Sequence, residues 1–279
     1  MLRRGILILA SVFCSLFLRG QDSSFRYPDV PDSLSSPQSR VEYLCLHFWD
    51  RADFADEALL SSSKPVLDFI YLLQHSGPEV AAEGMSGMIR RAAPYGQALN
   101  QLLYAFNHFL HDSQSPLSDD LLYERFLRTV IASDAVPEDV REPLSEPLEV
   151  ICRNQPGSPA EDFVFSTKDG REMHLYDIEA PYILLMFTNP DCSRCREAEK
   201  ILKELPDSVR VLAIHPGDDI EGWMRHDYPE GWISGHESAG KIRDERLYEI
   251  QLYPCFYLLD AKKTVLLKGV GIEKIVKVA

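Results

Sequence analysis

Along the first 160 residues apolar positions recur every three or four places, and alternation of period two is almost absent. In "GQALNQLLYAFNHFLHD", Leu99, Leu102, Leu103, Phe106, Phe109 and Leu110 fall on one stripe, the pattern of an amphipathic helix. "RVEYLCLHFWDRADF" places Tyr43, Leu44, His47 and Phe48 on one side, with Ser39 in position to cap it. "KPVLDFIYLLQ" carries Pro65 at an early helical position and meets Gly77 as a stop. "SPLSDDLLYERFLRTVIAS" and "PEDVREPLSEPLEVICR" are two further helical stretches. The pattern predicts an all-helical domain over residues 38–153, preceded by an extended, Ser-, Pro- and Asp-rich lead-in over 21–37.

The pattern changes after "NQPGSPAED", whose Pro, Gly and Ser content marks residues 154–161 as a linker. "DFVFSTKDGREMHLYDI" alternates around Asp169-Gly170, a hairpin turn signal. "YILLMFTN" is a continuous apolar run, as in a strand covered on both faces. "REAEKILKEL" reads as helix, "VRVLAIH" as a second covered strand, and "CFYLLDAKKTVLLKG" as two strands joined at residues 260–263. Strand, helix, strand and hairpin make residues 162–279 an α/β domain. No fixed-period repeat is present.

Charge narrows the partners. A formal net charge of −14 argues against nucleic acid and anionic membrane surfaces. The amino-terminal stretch "MLRRGILILASVFCSLFLRGQD" has two arginines, then an apolar run over residues 5–18. That run is shorter than the roughly 20 residues a membrane-spanning helix needs. It reads as a secretory signal over residues 1–20, with Cys14 inside the removed part. The expected location is periplasmic or secreted, with membrane contact only if this segment is retained.

Without Cys14 five cysteines remain, Cys45, Cys152, Cys192, Cys195 and Cys255. An odd number with one close pair is not a disulfide scaffold. Zinc needs four ligands, and neither a second CxxC nor an HxxxH accompanies the pair, so no metal is expected. Thr188 stands one place off the peroxiredoxin pattern, in which the threonine lies three residues before the cysteine. The CxxC in "FTNPDCSRCREAEK" has a covered strand before it and a helix after it. Cys192 then sits at a helix start, where the dipole and unpaired N–H groups favour its thiolate, and Cys195 lies one turn on. Exchange needs one exposed attacking thiolate and a second thiol to resolve the mixed disulfide. Ser193 and Arg194 would tune the couple, the cation favouring the thiolate and Asp191 opposing it. Downstream, Pro254 in "LYPCFYLLD" opens a strand, where it cannot donate to a ladder. Trp223 and Trp232 flank "MRHDYPEG", either as a substrate-side surface or as packing, and the histidines His215, His226 and His236 are placed on loops without a role.

Residues 155–279 resemble thioredoxin-like domains of the TlpA/ResA type, through "PGSPAEDFVFSTKDGREMHLYDI", "YILLMFTNPDCSRCREAEK", "VRVLAIHPGD" and "LYPCFYLLDAKKTVLLKG". "YPDVPDSLSSPQSRVEYLCLHFWDRADF" resembles an uncharacterised helical domain that precedes such domains in secreted Bacteroidetes proteins. The resemblance implies a thioredoxin-like fold behind an all-α domain, Cys192 as attacking and Cys195 as resolving thiol, and Pro254 as a cis-proline. With Tyr253, Pro254 would shape the substrate groove. It implies a thiol–disulfide oxidoreductase acting on cysteine-containing exported proteins with a redox partner and no cofactor. Three positions depart from the pattern. Met186 stands where many members carry a buried acid, Asp191 where an aromatic precedes the first cysteine, and Cys255 where threonine follows the proline. Cys255 is thus either a candidate third thiol or a small buried residue. The departures keep a second reading open, a non-catalytic binding or scaffold protein with a helical partner-recognition domain.

Overall fold

The computed structural model describes residues 25–278. The chain divides into two compact units, Met1–Ser145 and Glu146–Ala279. Among the described residues no helix is long and apolar enough to cross a membrane.

The first unit is helical: α1 (Pro37–His47), α2 (Lys64–His75), α3 (Pro78–Ala92), α4 (Gly96–Phe106), which continues as a π turn through Asn107–His111, α5 (Asp120–Ile131) and the short α6 (Glu138–Arg141). The cap of α1 is Ser36, not Ser39: its side chain accepts the Ser39 N–H at 3.0 Å. The helix stops at His47 rather than running to Phe54. Beyond it Asp53 and Asp56 accept the N–H of Ala55 and Ala58, local turns that compete with helix. The buried side of α1 is Val41, Leu44 and Cys45, one step round from the stripe expected. In α4 the expected stripe is the buried one at Leu99, Leu102, Phe106 and Leu110.

The 15-residue α3 was not legible in the sequence, because Gly84 and Gly87 weaken its pattern. Packing supplies the reason for Gly84. A Cβ there would lie 2.9 Å from both the carbonyl oxygen and the sulfur of Cys45 on α1. The small pair lets α1 and α3 approach closely. Gly84→Ala is therefore expected to destabilise the first unit by about 1–3 kcal/mol, read as a lower denaturant midpoint. Cys45→Ala in the same chain should recover only part of this, since the backbone oxygen stays in place.

The second unit contains α7 (Ser145–Cys152, all but its first residue), β1 (Val164–Ser166), β2 (Glu172–His174), β3 (Tyr182–Phe187), α8 (Ser193–Leu202), β4 (Val209–His215), α9 (Ile220–Arg225), β5 (Ile233–His236), β6 (Cys255–Asp260), β7 (Val265–Lys268) and α10 (Ile272–Val278). The sheet order is β2-β1-β5-β4-β3-β6-β7. β3, β4 and β5 are parallel, and β6 runs antiparallel to β3 with Phe187 opposite Cys255. The apolar run of β3 alternates between two cores. Ile183, Leu185 and Phe187 join Phe163, Phe165, Tyr248 and Tyr257 on one face, and Leu184 and Met186 join Cys195, Ala198 and Leu202 on the other.

The boundary between units falls after the first residue of α7, upstream of the expected linker. Lys268 donates to the carbonyls of Ile151 and Arg153 at 2.9 and 3.3 Å, and Arg153 to those of Glu245 and Arg246 at 2.7 and 3.0 Å. Residues 154–161 are stitched to the β6–β7 hairpin: Gly157 N–H donates to Val265 O, Val265 N–H to Ser158 O, and Ala160 N–H to Lys263 O. Pro, Gly and Ser mark turns here, not freedom. The short β5 also escaped the sequence reading. A Cβ at its Gly235 would lie 2.3 Å from the Phe165 ring, so a close approach takes a glycine where a strand pattern would show a side chain.

Candidate dithiol site

Strand β3 ends at Phe187, and the loop that follows is held at both ends. Thr188 N–H donates to Ile214 O at 2.9 Å, and Cys192 N–H to Asn189 O at 3.0 Å. The Asn189 side chain accepts the Asp191 N–H, and Arg196 from the helix donates to Pro190 O. This loop delivers Cys192 as the N-cap of α8 in extended conformation, φ −78 and ψ 113. Its sulfur accepts the Cys195 N–H at 3.1 Å, and its thiol donates to Tyr253 O at 3.6 Å. A sulfur at an N-cap occupies the place where an anion is stabilised by orphan N–H groups and the helix dipole. Cys192 is partly exposed and Cys195 buried, so one thiol meets solvent and the other stands behind it.

Burial, and then the neighbouring Cys192 thiol, push the Cys195 thiol up to about 12, while the Asn189 backbone and Thr188 side chain pull the other way. An unfolded cysteine ionises near 8.5. Between those values the unfolded chain has lost this proton and the folded chain has kept it, so rising pH favours unfolding. The stability from the neutral thiol is complete below about pH 8.5 and drains away toward pH 12. The reduced protein should lose denaturant midpoint between about pH 8 and 10 more steeply than Cys195→Ala. Equal slopes would remove the buried-thiol account.

Ser193 and Arg194 are exposed on the first turn of α8, where solvent screens the cation. The Tyr253–Pro254 peptide bond is cis, and Tyr253 packs against both cores. Cys255 lies elsewhere than its sequence position suggests. It is buried in the core on the Phe187 face, and its thiol donates to Glu249 O at 3.5 Å. The CxxC packs into the opposite core, because successive strand residues point to opposite faces. Met186 is fully buried in the CxxC-side core, and Asp191 is exposed. Trp223 is buried against the His236 ring and Trp232 packs on the CxxC-side core. His215 and His236 are not on loops: they face each other as register partners at the ends of β4 and β5.

One group of titratable residues beside the site escaped the sequence reading. Glu199, one turn beyond Cys195 on α8, is buried. His226 Nε2 lies 2.9 and 3.1 Å from its two carboxylate oxygens. The Tyr228 ring meets the His226 ring edge-on at 4.4 Å. The spacing of Glu199 from Cys195 was readable. Its partners come from the segment after α9, which no periodic pattern ties to the helix.

The profile of a domain of unknown function, DUF5106, matches residues 13–154, half of the chain. A thioredoxin-like protein from Bacteroides caccae is 27% identical, with a TM-score of 0.81 over 92% of this chain and 98% of that one. A conserved protein of unknown function from Bacteroides fragilis is 37% identical over 44% of this chain and 98% of its own, with a TM-score of 0.43. The thioredoxin domain of a thiol-disulfide oxidoreductase from Bacteroides vulgatus is 17% identical over 44% and 97%, with a TM-score of 0.37. No curated protein matches. The fold rests on the first structure: α/β and thioredoxin-like in the second half, all-helical in the first, as the sequence resemblance implies.

Proposed function

We propose, for a chain that belongs to the DUF5106 family over residues 13–154, that its thioredoxin-like half performs thiol–disulfide exchange on cysteine-containing proteins outside the cytoplasm. The observation that carries this is the Cys192 sulfur at the N-cap of α8, accepting the Cys195 N–H at 3.1 Å. The Cys192 thiolate attacks a substrate disulfide, one substrate sulfur leaves as thiolate, and a mixed disulfide forms. Cys195 then loses its proton and attacks Cys192, which releases the second substrate sulfur and leaves the protein pair oxidised. A second redox partner restores the dithiol, and the same steps run backward in an oxidase or isomerase. The sulfurs carry the electrons themselves, so the cycle calls for no metal or organic cofactor. The Tyr253 carbonyl accepts from the attacking thiol, and Tyr253 with the cis Pro254 would form the groove for substrate backbone. Ser193 and Arg194 would tune the couple.

The extracytoplasmic setting rests on the amino-terminal signal pattern, which lies outside the described residues, and retention of that segment would add a membrane contact. The helical half would then serve as a specificity or localisation module. A second reading, an inert fold used for binding, is favoured by Met186, which leaves β3 without a buried acid. Thiol labelling separates the two. Exchange requires Cys192 to alkylate before Cys195 at about pH 6 and the pair to cycle with dithiothreitol. A pair that does neither leaves the binding reading in place.

A further inference from the structure

This inference rests on the exchange reading and concerns its resolving step. There Cys195 loses its proton to solvent and its sulfur pair forms the bond to Cys192. The substrate sulfur departs with the electrons of the bond that breaks. Burial holds the Cys195 thiol up at about 12, so resolution depends on groups that favour its thiolate. Two groups do so, the Asn189 backbone and the Thr188 side chain, and to stabilise an anion they must donate. Both belong to the loop between β3 and α8, and the end of β4 grips that loop. Thr188 is buried, and its N–H donates to Ile214 O at 2.9 Å. Its carbonyl lies 3.2 Å from Nδ1 of His215. A carbonyl only accepts, so the His215 ring carries a proton on Nδ1. The Thr188 carbonyl and the Asn189 N–H are the two ends of one planar trans peptide group and point opposite ways. Fixing the carbonyl therefore fixes the direction of the N–H.

The ring is locked in turn. His215 is buried, and its own carbonyl accepts the Glu237 N–H at 3.1 Å. Gly217 lies against the ring: a Cβ there would stand 2.7 Å from Cε1 and 3.1 Å from Nε2. The Gly217 carbonyl accepts from Nε2 of His236 at 2.8 Å. The two imidazole centroids are 5.7 Å apart, and the His236 ring also meets Trp223 at 5.5 Å. His215 Nε2 is buried and has no partner among the described residues, which a native fold rarely leaves without a reason. Burial first, and then His236, disfavour the charged ring, while the Thr188 backbone, Asp219 and Asp218 act the other way. Those two carboxylates are engaged elsewhere, Asp218 with Arg243 at 2.8 Å and Asp219 as the N-cap of α9. The ring is thus neutral at pH 7, with its one proton on Nδ1.

We propose that His215 is a positioning residue for resolution: its Nδ1–H fixes the Thr188 carbonyl so that the Thr188–Asn189 peptide presents its N–H to the Cys195 sulfur. His236, through Gly217, holds the ring in that orientation. The bare Nε2 follows from placing the single proton of a neutral ring on the nitrogen that faces the loop. As Cys195 ionises, its charge meets the positive end of a peptide dipole already in place, so little has to reorganise. In the reverse direction the same N–H favours Cys195 as the leaving thiolate when the protein disulfide is attacked. The two buried histidines at the ends of β4 and β5 thereby belong to the site, although neither touches a cysteine.

An aromatic disulfide that releases a coloured thiolate (dithiobis-nitrobenzoate) reads the two steps separately on the full chain. The first thiolate reports attack by Cys192 and the second reports resolution by Cys195. In His215→Leu the second phase should slow about tenfold near pH 7, the order of effect of leaving one buried acceptor without its donor. The first phase should stay within about threefold, less than the loss of one such bond, because Cys192 keeps its own contacts to Asn189 O and the Cys195 N–H. His215→Asn, whose side-chain amide can donate in place of Nδ1–H, should bring the second phase back to within about threefold of wild type. Gly217→Ala, which pushes a Cβ against the ring, should also slow the second phase selectively, and it carries the test if His215→Leu does not fold. A merely structural histidine would lower the melting temperature in the Leu and Asn variants alike and would not separate the two phases. A second phase within about twofold of wild type in the folded variant, or a slowed one that His215→Asn does not restore, overturns the proposal. A wild type that does not release both thiolates overturns the exchange reading itself, and with it this one.

Discussion

Cys192→Ser is expected to abolish exchange, returning the rate of insulin reduction by dithiothreitol to that of dithiothreitol alone, because an alcohol at this position is neither ionised nor a competent sulfur nucleophile. The substitution is nearly isosteric, and the serine oxygen can still accept the Cys195 N–H as an N-cap. The fold should therefore persist, which separates lost chemistry from lost structure. Cys195→Ser should behave differently. Cys192 remains partly exposed at the helix start, so the first attack proceeds and the mixed disulfide accumulates. Incubating Cys195→Ser with an extracytoplasmic fraction and resolving it without reductant should show covalent adducts that vanish with dithiothreitol. The double variant should show none. Exchange that survives in Cys192→Ser would move the chemistry elsewhere.

Phe187→Ala should destabilise the second unit by about 3–5 kcal/mol, the range for emptying a buried aromatic site. Phe187 is fully buried, its ring 5.0 Å from Tyr248, 5.9 Å from Tyr257 and 6.4 Å from Phe163. Those neighbours come from three different stretches of chain, so they cannot all close on the space left. Phe187 is also the last residue of β3 before the dithiol loop, so the loss should loosen the anchoring of Thr188 on Ile214 O. Tyr182, at the exposed start of the same strand, is the control, since Tyr182→Ala should stay within about 1 kcal/mol. Denaturant titration of both variants decides, and a Phe187→Ala loss no larger than the Tyr182 control would remove Phe187 from the framework of the site.

The elements that could be read directly have one dominant local signal. β3 is six consecutive apolar or aromatic residues, and α4 a helical stripe along one side. Hairpin turns at Asp169-Gly170 and residues 260–263 are written in side chains that make turns: Gly170 has φ +82 and the Asp260 side chain accepts two N–H groups. The elements that could not be read owe their form to a neighbour. Gly84 marks the contact of α3 with Cys45, and Gly235 the contact of β5 with Phe165. In both places a glycine signals crowding, and the residue that crowds it lies far away in the chain.

The site divides along the same line. Spacing, the strand before and the helix after were enough to pick out Cys192 and Cys195 and to place one at a helix start and the other one turn on, because a helix start and its next turn are local facts. Which face each thiol occupies was not local. Cys255 follows the cis Pro254 directly, yet strand alternation and the register with Phe187 turn it into the opposite core. Glu199 is local to Cys195, but its burial, its partner His226 and the Tyr228 ring beside that histidine depend on how the segment after α9 folds back over α8. By itself the sequence determined two kinds of domain, the dithiol and its attachment to a helix start, since periodicity, turns and i, i+3 spacing act within a few residues. Only the tertiary structure decided which groups share a face with those thiols, because packing, burial and electrostatic fields act across space between residues that the chain order keeps apart.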